Sequence, residues 1–216
     1  MSAPDRYLTV PGPGVHETEV NRSRFVCTLD PVATEAEAAA VVARERQRHP
    51  AASHHCWAYV LGADGADRKC SDDGEPGGTA GLPMLQMLTR REVRCVVAVV
   101  SRYFGGTKLG AGGLIRAYGA AVGTALDSLG TVTRTRYRLA TVTVDHQRAG
   151  KLENELRARG HVVRDVAYGS AVTITTALPG TELDAFTAWL ADATAGTAAL
   201  EPGGDWYGEG RPGGGW

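Results

Sequence analysis

No stretch of this 216-residue chain approaches the apolar length that a membrane span needs. Met1-Ser2-Ala3-Pro4-Asp5-Arg6 is not followed by the apolar region of a signal peptide. A soluble, cytoplasmic protein without a membrane partner is the expectation. Charge of one sign is also missing, since 23 Lys and Arg stand against 24 Asp and Glu. That balance excludes a wholly basic nucleic-acid coat, so any anion-binding surface must be local. Cys27, Cys56, Cys70 and Cys95 lie too far apart for a C-x-x-C metal or redox motif and read as structural thiols.

Motifs of enzymatic chemistry are lacking too. There is no H-E-x-x-H, and no serine or cysteine sits in a nucleophile motif. Gly105-x-x-x-x-Gly110 is not followed by the Lys-Ser/Thr of a Walker A loop, and Gly110-Ala111-Gly112-Gly113-Leu114-Ile115 lacks the last glycine of a dinucleotide fingerprint. No cofactor and no metal is implied, and the reading leans away from an enzyme.

What the chain does have is an ordered run of secondary-structure signals. Arg24 to Leu29 reads as a strand, and Thr34-Glu35-Ala36-Glu37 is a capping box opening a helix that stops at Pro50. His54 to Leu61 is a second strand, and Gly62 to Gly78 is expected to be one long loop. Thr79 is placed to cap a helix running to about Thr89, with Pro83 in its first turn. Val93 to Ser101, almost wholly apolar, predicts a strand buried on both faces, and a further helix runs to about Leu129. Gly130 marks a boundary. Beyond it the order of signals is βαββαβ, with Asp145 capping the first helix and a short strand near Ala198, a ferredoxin-like arrangement. Glycine density from Gly203 onwards predicts a frayed tail.

Two glycine-rich loops each lead into a helix start, where unpaired backbone N–H groups can receive an anion. Between Arg90 and Arg116 stand Arg90, Arg91, Arg94, Arg102, Lys108 and Arg116 against the single acid Glu92, a local cationic excess. Arg102, Lys108 and Arg116, with the backbone of Gly110, Gly112 and Gly113, are the expected phosphate contacts. Tyr103, Phe104 and Tyr118 supply rings that either stack on bases or fill the core. His54, His55, Asp72, Asp73, Glu75 and Thr79 are expected to line the adjacent cleft. Adjacent histidines on a strand face opposite ways, so only one of the pair joins a given site directly. Ser71-Asp72-Asp73-Gly74 is equally a turn whose carboxylates satisfy loop amides. Arg134, Arg136 and Arg138 share one strand face, as an extension of a basic track or as a solvated surface.

The blocks His54-His55-Cys56-Trp57-Ala58-Tyr59, Ser71 to Gly81 and Arg102 to Gly119 resemble, in order and spacing, the YigZ/IMPACT family, whose members are linked to translation and its regulation. The resemblance implies an α+β protein of two α/β sandwich domains. Residues 1–130 would form an IMPACT-type domain of the ribosomal protein S5 domain 2-like fold, similar to domain IV of elongation factor G. Residues 131–202 would form a ferredoxin-like domain similar to that factor's domain V, followed by a Gly-rich tail, 203–216. Together with the local cations, this resemblance leads to the expectation of non-catalytic binding of structured RNA or the ribosome through the basic Gly-rich loop cleft. A small-molecule or phosphometabolite enzyme using a His/Asp pair in the same cleft, and a protein–protein regulator docking through the edge of the ferredoxin-like sheet, are the other readings.

Overall fold

The computed structural model describes residues 3–209. Its contacts divide the chain into two compact units, which meet in sequence between Arg134 and Thr135. Both mix helices and sheet, so the α+β class with two sandwich units holds.

The first unit contains β1 (Arg6–Thr9), β2 (Gly14–Val20), β3 (Ser23–Pro31), α1 (Glu35–Arg48), β4 (His54–Leu61), β5 (Asp67–Ser71), α2 (Gly81–Arg90), β6 (Val96–Tyr103) and α3 (Gly110–Leu129). Its sheet has the order β2-β3-β6-β4-β5, with every neighbouring pair antiparallel. The nearly unbroken apolar run of β6 is explained by its central place, because helices cover both faces. Val96, Ala98 and Val100 join Cys56, Ala58 and Val60 of β4 beneath α2 and α3. Val97 and Val99 join Tyr59 and Leu61 beneath α1. The two-residue period of the strands therefore sorts each side chain to one helix layer or the other.

The capping box holds in α1: Thr34 Oγ1 accepts from Glu37 N at 3.2 Å, and Glu37 Oε2 reaches back to Ala33 N. Ala38, Val41 and Glu45 form the buried stripe of that helix. The loop expected over Gly62–Gly78 instead contains β5. Its Asp-Arg-Lys-Cys-Ser sequence has no apolar alternation because it is an edge strand whose side chains are mostly in water.

The second unit holds most of β7 (Val132–Val144), then α4 (His146–Ala158), β8 (Val162–Tyr168), β9 (Val172–Leu178), α5 (Leu183–Thr194) and β10 (Ala199–Glu209). Its strands follow the order β10-β7-β9-β8, that of a ferredoxin-like sheet, and β1 also pairs with β7 to make the sheet five-stranded. Asp145 caps α4, its side chain accepting from Arg148 N at 2.9 Å. β10 runs through Gly203 and Gly204 to Glu209, longer than the short strand expected; the remainder of the glycine-rich tail, 210–216, lies outside the described residues. Arg136 and Arg138 both meet Asp205, at 3.7 and 3.2 Å, which neutralises part of the strand's basic face. No helix among the described residues is long and apolar enough to cross a membrane.

Candidate nucleic-acid interface

β4 and β6 lie side by side with His54 opposite Arg102 and His55 opposite Ser101. The pleat sends the first pair towards α2 and α3 and the second towards α1, so the adjacent histidines part company as their strand requires. His55 Nδ1 lies 2.9 Å from Ser101 Oγ. Burial, only partly opposed by Asp73, lowers the pKa of this imidazole.

On the α3 side, the expected phosphate contact Arg102 is buried, with 6% of its surface exposed. Its Nη1 donates to Glu75 Oε1 at 2.6 Å, and Tyr118 Oη donates to the same oxygen at 2.7 Å. Its Nη2 is 3.5 Å from Ser23 Oγ. The guanidinium lies between the rings of Phe25 and Phe104, 5.6 and 5.7 Å from their centroids. His54 Nε2 stands 4.0 Å from Glu75 Oε2. Cys56 Sγ donates to the Asp72 carbonyl at 3.0 Å. Burial pushes the Cys56 thiol up to about 12 and raises the Tyr118 phenol as well. Arg102 thus spends its charge inside the fold, tying the loop of Glu75 to the sheet and to α3.

The first glycine-rich loop has an occupant of its own. Asp72 Oδ1 accepts from Ala80 N and Gly81 N at 3.0 and 2.8 Å, and Oδ2 accepts from Gly78 N at 2.8 Å. Burial alone would raise this carboxyl, but those three bonds outweigh it and hold the pKa below its ordinary 3.8. The anion at the start of α2 is therefore internal. Thr79, expected as the cap, donates its hydroxyl to the Pro76 carbonyl instead, and the helix begins after Ala80. Asp73 pairs with Arg46 and accepts from His55 N at 2.6 Å, while only its backbone carbonyl meets His54 Nδ1, at 2.9 Å. The carboxylates of the acidic loop are engaged by backbone and cations, and the Asp73 carboxylate is not joined to the His54 ring. Among the described residues no group of three or more His, Cys, Asp or Glu side chains is placed to hold a metal ion.

The second loop is different. A Cβ on Gly105 would stand 2.0 Å from the carbonyl carbon of Arg22, so only glycine lets this loop close on the β2–β3 turn. Gly105 N also donates to Ser23 Oγ at 3.2 Å. Gly106 and Gly110 take positive φ angles of 84° and 69°. α3 then starts without any side-chain cap at Leu109. Lys108 and Arg116 are exposed and have no acid partner among the described residues. Gly110 and Gly112 are exposed, and Gly113 packs against Leu109, where an added Cβ would sit 3.0 Å away.

Helices α2 and α3 run parallel and in step: added Cβ atoms at Gly119 and Gly123 would lie 3.9 Å from Pro83 and 3.3 Å from Met87. The start of α2 therefore lies level with the second to third turn of α3, beside Arg102 and Tyr118, and α3 begins about two turns further out at the same end. One cation of this end escapes a reading by motif. Arg22, exposed at the tip of the β2–β3 hairpin, has a φ of 68° after Asn21 at 49°. The two-residue turn between strands was its only sequence signal.

Two families match the chain: the Impact N-terminal domain over residues 21–126 and a domain of unknown function over residues 142–197. The chain is 42% identical over 197 residues to the IMPACT family member YvyE of Bacillus subtilis, covering 91% of each. It is 39% identical to the IMPACT family member YigZ of Escherichia coli, covering 84% of this chain and 90% of that protein. A crystal structure of a hypothetical protein, 37% identical, superposes with a TM-score of 0.70 over 91% of this chain and 97% of its own. With matches of this extent along both units, the chain belongs to the IMPACT family.

Proposed function

We propose that this protein is a non-catalytic, translation-associated protein that binds structured RNA or the ribosome through the open start of α3. One observation carries the reading. Arg44, Arg46, Arg48, Arg91 and Arg102 of the same unit each meet a carboxylate, whereas among the described residues Arg22, Lys108 and Arg116 do not. Arg68 and Arg94 meet only backbone carbonyls, and Arg90, also without a carboxylate, lies at the far end of α2. Arg22, Lys108 and Arg116 frame a helix start whose amides no side chain caps. Unneutralised cations and outward N–H groups favour a multiply charged anion, and a phosphate chain supplies one. The resemblance to a family linked to translation favours RNA as the source of that phosphate chain. The contrast with α2 supports the assignment, because its start already holds the Asp72 carboxylate.

Filter binding of tRNA and ribosomal RNA to the intact protein and to Lys108→Ala/Arg116→Ala tests this. The double variant should lose about tenfold or more in affinity at low salt. Equal affinities would contradict the proposal.

A further inference from the structure

The aromatic residues around the second loop are sorted by the fold into three environments. Tyr118 is fully buried, edge-on to Phe25 with centroids 5.2 Å apart. Tyr103 is half-buried; its hydroxyl lies 2.9 Å from His49 Nδ1 and the Arg24 guanidinium covers its ring at 4.1 Å. Phe104 alone of the three is in water, with half of its surface exposed.

Its position is nonetheless fixed. The residue before it, Tyr103, is paired to Arg24 in the sheet, and the residue after it, Gly105, is bonded to Ser23. Behind the ring stands Arg102, which Glu75 and Ser23 hold in place. An exposed aromatic ring braced in this way loses little freedom when a flat partner settles on it. A guanidinium behind the ring draws its π density inward, which favours a neutral heterocycle on the free face over a second cation. Lys108 follows four residues later, within about 14 Å of chain. Arg22 backs onto Gly105, the residue after Phe104, and Arg116 lies over Gly112 in the first turn of α3, so these cations flank the stretch of chain that carries the ring.

We infer that Phe104 is the base-stacking platform of this surface, and that the RNA it takes presents an unstacked base there, in a loop, bulge or single-stranded end. This rests on the RNA reading given above and adds the form of the RNA to it. Cations and amides alone would accept any phosphate chain, duplex included. A ring that must lie flat on a base excludes bases already stacked on both faces.

Fluorescence anisotropy with a 3′-labelled single-stranded oligoribonucleotide tests the inference. An abasic strand of equal length, with the same phosphates, and the corresponding duplex serve as comparisons. Phe104→Ala should weaken binding of the single strand by roughly 5- to 150-fold while leaving the abasic strand unaffected. Phe104→Trp should retain affinity, and its indole emission should be quenched on binding. If Phe104→Ala binds the single strand as the parent does while Lys108→Ala/Arg116→Ala weakens it, the platform is overturned and the phosphate reading survives. Duplex bound as tightly as single strand also overturns the platform. If the parent binds tRNA but not the single strand, the platform is overturned and the phosphate reading survives; if it binds neither tRNA nor any of the three oligonucleotides, both readings fall together.

Discussion

Glu75 Oε1 receives Arg102 Nη1 at 2.6 Å although the two residues are separated by 27 positions and by a whole helix, α2. Both are almost fully enclosed, and Tyr118 of α3 shares the same oxygen. This pair ties the acidic loop, the central strand and α3 into one rigid end of the sheet. Lys108 and Arg116, exposed and without an acid partner among the described residues, stand outside this buried pair.

Removing one member of that pair leaves a buried charge without compensation. Glu75→Gln should destabilise the protein by about 3–5 kcal/mol in urea denaturation. Arg102→Met/Glu75→Leu should recover most of that loss, since an apolar pair leaves no orphaned charge. A Glu75→Gln variant within 1 kcal/mol of the parent, on the order of an exposed pair, would contradict the role given to this contact.

Asp72 offers a pH signature. Its folded pKa lies below the ordinary 3.8, so its contribution to stability is complete above about pH 4 and is lost as pH falls through the folded value. Asp72→Ala strips the partner from three N–H groups and should cost about 2–3 kcal/mol near neutrality. The gap between parent and variant should narrow towards pH 2. A gap unchanged between pH 6 and pH 2.5 would count against the assignment.

All four cysteines are free, with Cys27 and Cys56 buried and both pushed up to about 12. Iodoacetamide at pH 8 should leave these two unmodified in the native protein, whereas denaturant should expose all four. Peptide mass mapping reads this directly, and fast native labelling of Cys56 would exclude its placement between Asp72 and Tyr118.

Two glycines should respond oppositely to alanine. Gly105→Ala forces backbone apart at the β2–β3 turn and should cost about 1–3 kcal/mol. Gly77→Ala, with nothing within 4 Å and no positive φ, should be neutral or mildly stabilising, by up to about 1 kcal/mol. Thermal melts that reverse this order would show the loop closure to be misplaced.

What the sequence disclosed was local. Thr34 and Asp145 cap their helices through side chains three residues from their partners, and the apolar period of β4 and β6 states which faces are covered. What it hid was non-local. Asp72 caps α2 from eight and nine residues away, and Thr79, beside the helix, looked the better candidate. Arg102 reads as one more cation of a basic stretch, because nothing nearby in sequence names Glu75 as its partner. β5 lacks apolar alternation, and Arg22 enters the site only because Gly105 closes on its turn. The free cations Lys108 and Arg116 were legible because they need no partner to be seen.

The central claim is that free cations at the start of α3 hold RNA phosphates, and counterion release measures it most directly. The slope of log affinity against log salt should be steep for the parent with tRNA. It should be shallower by roughly 1.5–2 in Lys108→Ala/Arg116→Ala, about one unit for each lost phosphate contact. Identical slopes in the two proteins, or a parent whose RNA binding is indifferent to salt, would contradict the account.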